Sequence, residues 1–411
     1  MSLNYRNYWN TTTVAPNAKW VSSVPDEVNY LIIGAGGAGL STALALAQRQ
    51  ATGITIIDPT LPGWRSARKQ SGAVSILPFL PSHLKAKDIT DEEINNLVTL
   101  GLWNAAFTEK FMWEFGAGKN WCEKQSIGGF RVAFQRTQLS DLEDAIPYLQ
   151  ELPTKPFMFT QKMFQNITTV RNGWGGLYVP NDFVVNPARY LNGLTTACKY
   201  MGVDISSGFN VTEIRQDCDK WVVNDEYGNT IKAKKLILCM GAFFGQLANL
   251  NDLSSLLFRR RIQYIATKPL STRLPPYLLI DADGKSIYRT HNERVIYSLD
   301  RDDKEMADFK INKGSINIMS GRMSYRLKAV HERELKPDFA WSRGVLCTPD
   351  SLPFITEFKA LPNIYLNMGY NEHSLSYQMI GGRIAAGLVL KGEYIIPGSE
   401  IFSLERVTRS A

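Results

Sequence analysis

The chain has 411 residues, enough for two or three domains and a large core. Its 44% hydrophobic and 21% charged composition is that of an ordinary globular protein and excludes a disordered or fibrous one. The net charge of +7 is spread out, with Arg259-Arg260-Arg261 as its densest run, too short and isolated for a nucleic-acid footprint; the five cysteines lack a C-x-x-C pair, which speaks against a disulfide framework or a zinc site and for a reducing compartment.

Residues 1–27 have little periodicity and read as an N-terminal extension over the surface. They lack the apolar core of a secretory signal, so a cytoplasmic protein is expected. The organising stretch follows, at 28–58. An apolar run, Tyr30-Leu31-Ile32-Ile33, meets the cluster Gly34-Ala35-Gly36-Gly37-Ala38-Gly39. Helix formers fill 40–47, a second apolar run spans 54–57, and Asp58 ends it. Strand, turn, helix, strand and acid in this order are a dinucleotide-binding βαβ unit. Gly34 permits the sharp exit from the strand, Gly36 lets a pyrophosphate approach the backbone, and Gly39 lets the helix lie close to the strand. The helix N-terminus offers unpaired N–H groups to phosphates. Asp58 is spaced to accept hydrogen bonds from a ribose diol. The uncharged run 31–47 is too short and too rich in glycine to be a membrane span.

The basic, small-residue segment 64–72 reads as a loop. Residues 88–115 read as a helix with an acidic first turn at 91–93. A strand is expected over 128–134 and a helix over 137–149, while 157–170 gives no clear signal. A short strand follows Gly175-Gly176. Asn186 and Pro187 mark a helix start, and that helix reaches about Met201. Three short strands, 210–215, 221–225 and 230–238, form a meander that ends on the small-residue turn at Gly241. Further strands are expected at 258–268, 286–288 and 294–299, then a helix over 322–331. A strand at 364–367 leads to Gly369-Tyr370-Asn371-Glu372-His373-Ser374 and a last helix to about 390. Trp113 and Trp174 are expected in the core, and His83, His291 and His331 are isolated in the sequence.

Taken together, these blocks resemble the FAD-dependent D-amino-acid oxidase superfamily, which includes glycine and sarcosine oxidases. The greatest likeness is to the γ-glutamylputrescine oxidase-like branch. The resemblance covers nearly the whole chain. It rests on Tyr8-Trp9-Asn10-Thr11-Thr12 before the glycine loop, on Gly175-Gly176-Leu177 with Asn186-Pro187, and on Thr348-Pro349-Asp350 with Leu352-Pro353. Gly369-Tyr370, His373 and Gly382-Arg383 complete it. The resemblance implies an α/β fold. A Rossmann-like FAD-binding domain would be built from 28–87, 176–251 and 344–394. A substrate domain on a mostly antiparallel sheet would be inserted as 88–175 and 252–343, and 395–411 would form a tail. Gly34, Gly36, Gly37, Ala38 and Gly39 would hold the pyrophosphate, and Asp58 the ribose. Ser66, Arg68, Gln70, Ser71 and Gly72 would flank the flavin ring. Val211 would meet the adenine through its backbone, Gly241 would form the turn after the central strand, and His373, Ser374, Leu375 and Ser376 would close over the pyrimidine end.

Three positions depart from the family pattern: Gln70 replaces the usual Asn, and Glu372 and Ser374 replace glycines beside His373. Cys347 is displaced from the position used for covalent attachment in sarcosine oxidases. Non-covalent FAD and no metal are therefore expected. The implied reaction is oxidation of a C–N bond of an amine or amino acid by hydride transfer to flavin N5. The imine is then hydrolysed, and oxygen or another acceptor reoxidises the flavin. The expected substrate-side groups are Tyr288, Arg289, Arg294, Trp341, Tyr370 and His373, with Arg289 as a fork for a substrate carboxylate. A 2-hydroxy-acid dehydrogenase of the same superfamily and a flavin-binding protein without amine turnover are the competing readings. A nicotinamide dehydrogenase and a flavin hydroxylase fit the meander, the closing loop and the Asp350-Ser351 segment less well.

Overall fold

The computed structural model describes residues 3–408 apart from 17–18, 21–23, 169, 171, 247–252, 254–255, 272–273, 285, 301–308 and 328–334. The first crossover forms as the glycine cluster requires: strand Glu27–Ile33, helix Gly37–Ala47 and a parallel strand Ile54–Asp58. Glycine sets the spacing. A Cβ on Gly34, whose φ is +111°, would stand 2.4 Å from the Cys239 carbonyl oxygen, and a Cβ on Gly39 would stand 1.9 Å from the Gly34 carbonyl oxygen. Every residue of the helix except Ala38 is buried, so it is a core helix rather than an amphipathic one.

This crossover lies within a nine-stranded sheet. Its parallel part runs, in spatial order, Asp204–Ser207, Ile54–Asp58, Glu27–Ile33, Thr230–Leu238 and Ile364–Met368. On the edge away from Glu27–Ile33, Thr230–Leu238 serves two neighbours. Its first half pairs antiparallel with Lys220–Asp225, which pairs back to Val211–Asp217, and its last three residues pair with Ile364–Met368. Lys19–Trp20 and Phe354–Glu357 complete the edges. The helix Ser374–Lys391 packs on Gly37–Ala47 so closely that a Cβ on Gly382 would come within 2.4 Å of the Ser41 backbone.

The second sheet has eight strands, ordered Pro337–Cys347, Phe258–Thr267, Arg294–Asp300, Ser286–His291, Leu278–Asp281, Gly129–Ala133, Gly175–Val179 and Phe157–Thr160. All its contacts are antiparallel except that between Leu278–Asp281 and Gly129–Ala133. The molecule is thus an α/β fold with a mostly antiparallel second sheet. The strand Gly175–Val179 belongs to that second sheet, so the chain leaves it after Val179 and not between 175 and 176. Likewise Pro337–Cys347 stays in it past 344.

The helix starts follow local chemistry. Thr90 and Glu93 form a reciprocal capping box on Asp91–Gly116, and the Asn186 side chain accepts from the Ala188 and Arg189 N–H groups ahead of Pro187–Tyr200. Four expectations change. Residues 137–149 divide into a helix Gln138–Glu143 and a 3-10 turn Pro147–Leu149, since Pro147 has no N–H to continue the ladder. The helix expected at 322–331 is Lys313–Arg326, started by the Asn312 side chain; residues 328–331 lie outside the described ones. The N-terminal extension is not superficial: Asn7, Tyr8 and Trp9 are buried, the last completely, against the second sheet. Trp113 and Trp174 are 70% and 53% exposed. Phe111 and Met112 point inward from their helix, and Trp113, one step on, turns to solvent. Among the described residues no helix is long and apolar enough to cross a membrane, and no cluster of metal-binding side chains occurs.

Two glycines should respond in opposite directions to alanine. Gly382→Ala forces the two core helices apart and should cost about 1–3 kcal/mol. Gly321→Ala, on the helix Lys313–Arg326 with open space around it, should add up to about 1 kcal/mol. Denaturant midpoints of the two variants beside wild type check both signs.

Candidate active site

The carboxyl ends of the parallel strands open on a groove. Gly34, Gly36, Gly37 and Ala38 form its floor at the start of the first helix. Gly36 is the N-cap of that helix and supplies no side-chain hydrogen bond, so the first-turn N–H groups are left for an acceptor in the groove. Space is kept clear at two points of the wall. A Cβ on Gly36 would meet nothing nearer than Ala67 Cβ at 4.0 Å, and one on Gly241 would meet nothing within 4 Å. On one side stand Asp58 and Val211. Asp58 accepts from the Ala35 N–H at 3.0 Å and from the Thr60 N–H and hydroxyl at 2.8 and 2.9 Å. Burial raises its pKa, and those hydrogen bonds, with Arg65 nearby, oppose the rise. The groove's other end is walled by Ser66, Ala67, Arg343, Gly344, Tyr370, Asn371 and Ser374.

A second cavity of about 270 Å³ meets the groove at Asn371, which lines both. Its walls include Phe79, Leu80 and Ile280, with Arg131, Arg260, Glu372 and His373 as polar members. The His373 ring stands edge-on to Phe79 at 4.7 Å. Arg131 is held by a buried ion pair with Asp182 at 2.7 Å. Arg343 is also buried; its Nε donates to the Tyr264 hydroxyl and its Nη2 to the Glu372 carbonyl, tying the closing loop to the second sheet.

Of the expected cofactor contacts, Gly34, Gly36, Gly37, Ala38, Asp58, Ser66, Val211, Gly241 and Ser374 line the groove. Gly39 lies beneath it. Arg68, Gln70, Ser71, Gly72, Leu375 and Ser376 stand behind its wall. Arg68 donates to Asn192 Oδ1, the Gln70 Oε1 accepts from Ser374 Oγ at 3.0 Å, and Ser376 Oγ accepts from the Ser75 N–H. Leu375 is in the core.

The substrate-side expectations separate. Tyr370 lines the groove, its hydroxyl donating to Asn367 Oδ1, and His373 lines the adjoining cavity. Arg289 and Tyr288 do neither. Arg289 is fully buried, donates to the Ser71 and Val185 carbonyls at 2.8 and 2.7 Å and lies over the Trp9 ring. Burial pushes its pKa down to about 9. Strand alternation sends Tyr288 to the opposite face, stacked on Tyr297 beside the Arg326–Asp281 ion pair. Arg294 pairs with Asp338, and Trp341 donates to the Lys69 carbonyl. Sequence reasoning missed Phe79, Arg131 and Arg343 and read Arg260 only as part of a charged run. Nothing local marks them, because each comes to the site from a different strand or loop.

The FAD-dependent reading therefore has a groove that fits it: uncapped N–H groups for a pyrophosphate, an acid for a ribose and two clear backbone approaches. The family model described as FAD dependent oxidoreductase, DAO, matches residues 29–388. A probable oxidoreductase, OrdL, of Haemophilus influenzae is 21% identical over 380 residues, 89% of this chain and 83% of that protein. The L-proline dehydrogenase from P. horikoshii has the same fold, with a TM-score of 0.81 at 16% identity over 94% of this chain and 99% of that one. So does the glycine oxidase from Geobacillus kaustophilus, with a TM-score of 0.77 at 16% identity over 92% and 99%. The chain belongs to the DAO family of FAD-dependent oxidoreductases.

Proposed function

We propose that this oxidoreductase acts on a C–N bond of a small amine or amino acid and holds its FAD non-covalently. The observation that carries the reading is the meeting of the two cavities at Asn371: a groove suited to a dinucleotide opens, at its far end, beside a chamber of small-molecule size. In this reading about 28–87, 180–251 and 348–394 hold most of the cofactor, and the second sheet brings Arg131, Arg260 and Ile280 to a chamber that Phe79, Leu80, Glu372 and His373 complete. Gly34, Gly36, Gly37 and the helix N-terminus hold the pyrophosphate, Asp58 the ribose, and Val211 the adenine. Ser66, Tyr370 and Ser374 border the ring. FAD supplies the hydride acceptor when bound.

The chain's own side chains do the rest. Phe79, Leu80 and Ile280 keep water from the reacting carbon. Arg260 replaces Arg289 as the group for a substrate carboxylate: it lines the chamber, forms no ion pair among the described residues, and its buried Nε lacks a partner. Arg343 holds the Glu372 carbonyl and so keeps the loop carrying His373 in place. Cys239, the cysteine on the groove, has its thiol pushed up to about 12 by burial; a protonated thiol is a poor nucleophile, which supports a non-covalent cofactor.

The decisive experiment mixes the purified yellow protein, without oxygen, with amines, amino acids and 2-hydroxy acids. Bleaching by an amine or amino acid is expected. Bleaching by hydroxy acids alone, or by none of the compounds, would overturn the reading. Acid precipitation should leave the yellow colour in the supernatant.

Two variants test the assignments. Gly36 has φ −79° and ψ −172°, which any residue adopts, so Gly36→Val should fold, with a thermal midpoint within about 2 °C of the wild-type apoprotein. It should nonetheless emerge colourless from gel filtration. Arg260→Ala should raise KM for a carboxylate-bearing amine by about 10- to 150-fold, the loss of one charged hydrogen bond, and leave KM for an amine without a carboxylate nearly unchanged.

A further inference from the structure

The loop Arg68–Gly72 is held in an unusual way. Its carbonyls are taken one after another by buried side chains. Asn7 Nδ2 donates to Arg68 O at 3.4 Å, Trp341 Nε1 to Lys69 O at 2.9 Å, Trp9 Nε1 to Gln70 O at 2.8 Å and Arg289 Nη1 to Ser71 O at 2.8 Å. The Val185 N–H takes Gly72 O at 2.9 Å. A run of pinned carbonyls leaves the loop little freedom to move. The same loop joins the groove through Gln70, whose Oε1 accepts from Ser374 on the groove wall.

The donors to Arg68 and Gln70 come from the N-terminal segment, and that segment is itself anchored. The Tyr8 hydroxyl is 2.8 Å from His291 Nδ1, and His291 Nε2 is 2.8 Å from Glu123, which also pairs with Arg189 at 3.2 Å and accepts from Asn186. The Trp9 indole lies between the His291 ring, at 4.9 Å, and the Arg289 guanidinium, at 5.2 Å.

We propose that Asn7–Trp9 is a positioning element for the cofactor: by pinning the carbonyls of Arg68 and Gln70 it holds the loop from which Gln70 meets Ser374 on the groove wall. This rests on the cofactor reading given above. Trp9 touches no reacting atom; it acts through the Gln70 backbone.

Trp9→Phe removes the Nε1–H donor and keeps a buried ring. Trp221→Phe is the matched control, because Trp221 Nε1 likewise donates to a main-chain carbonyl, Pro362 O at 3.0 Å, on a strand away from the groove. FAD is titrated into each apoprotein, and the visible bands and midpoint potential of the bound flavin are recorded. Trp9→Phe should weaken FAD by about 5- to 10-fold, as expected for a buried carbonyl left unpaired, and should shift both the bands and the potential. Trp221→Phe should match wild type in all three. Wild-type affinity, bands and potential in Trp9→Phe would overturn the proposal, as would equal losses in Trp221→Phe. If Trp9→Phe does not fold, Asn7→Ala, which removes the donor to Arg68 O, is read by the same criteria. Failure of the wild-type apoprotein to take up FAD at all would instead overturn the cofactor reading on which this one stands.

Discussion

The closeness of three backbones governs this molecule. The helix Gly37–Ala47 is pressed against the Gly34 turn on one side and against Ser374–Lys391 on the other. The contacts at Gly39 and Gly382 leave no room for even one methyl group. A helix clamped in this way cannot rotate or slide to cap its own N-terminus, and Gly36 brings no side chain to do it. Its unpaired N–H groups and the positive end of its dipole therefore face the groove permanently. The anion site is a consequence of packing.

The second sheet is joined to the first by polar bonds that leave little freedom. Arg131, from the second sheet, meets Asp182 in an ion pair with both side chains almost wholly buried, and the same aspartate accepts from the Ile76 N–H. Ser66 donates to Gly344 O, and Arg343 reaches the closing loop. Such buried pairs add little net stability because desolvation offsets the attraction. Their value lies in geometry: a bond that exists at one separation only keeps the chamber wall at a set distance from the groove.

Two of the departures from the family pattern turn out to be one feature. Gln70 and Ser374 are 304 positions apart, yet the Ser374 hydroxyl donates to the Gln70 side chain. A longer amide on the loop and a hydroxyl on the closing segment complement each other, and neither is intelligible alone. Glu372, the third departure, contributes its main chain as the acceptor for Arg343.

Much of this was legible in the chain itself. The βαβ unit, the Asn186-Pro187 helix start and the meander at 211–238 are written in contiguous residues, because glycine spacing, caps and turn chemistry act over a few positions. The floor of the groove was readable for the same reason. Its far wall was not. Arg289 carries the right chemistry for a carboxylate, but strand alternation and burial gave it to the Ser71 and Val185 carbonyls, while Arg260, from a plain basic run, lines the chamber. The N-terminal segment looked superficial because a lone Tyr-Trp pair has no period. Only the folded sheet supplies the slot that buries Trp9 and the carbonyl that its indole meets. Local sequence determines what short-range sterics and hydrogen bonds can decide; which distant side chains share a cavity depends on how two sheets pack, and no window of neighbouring residues contains that information.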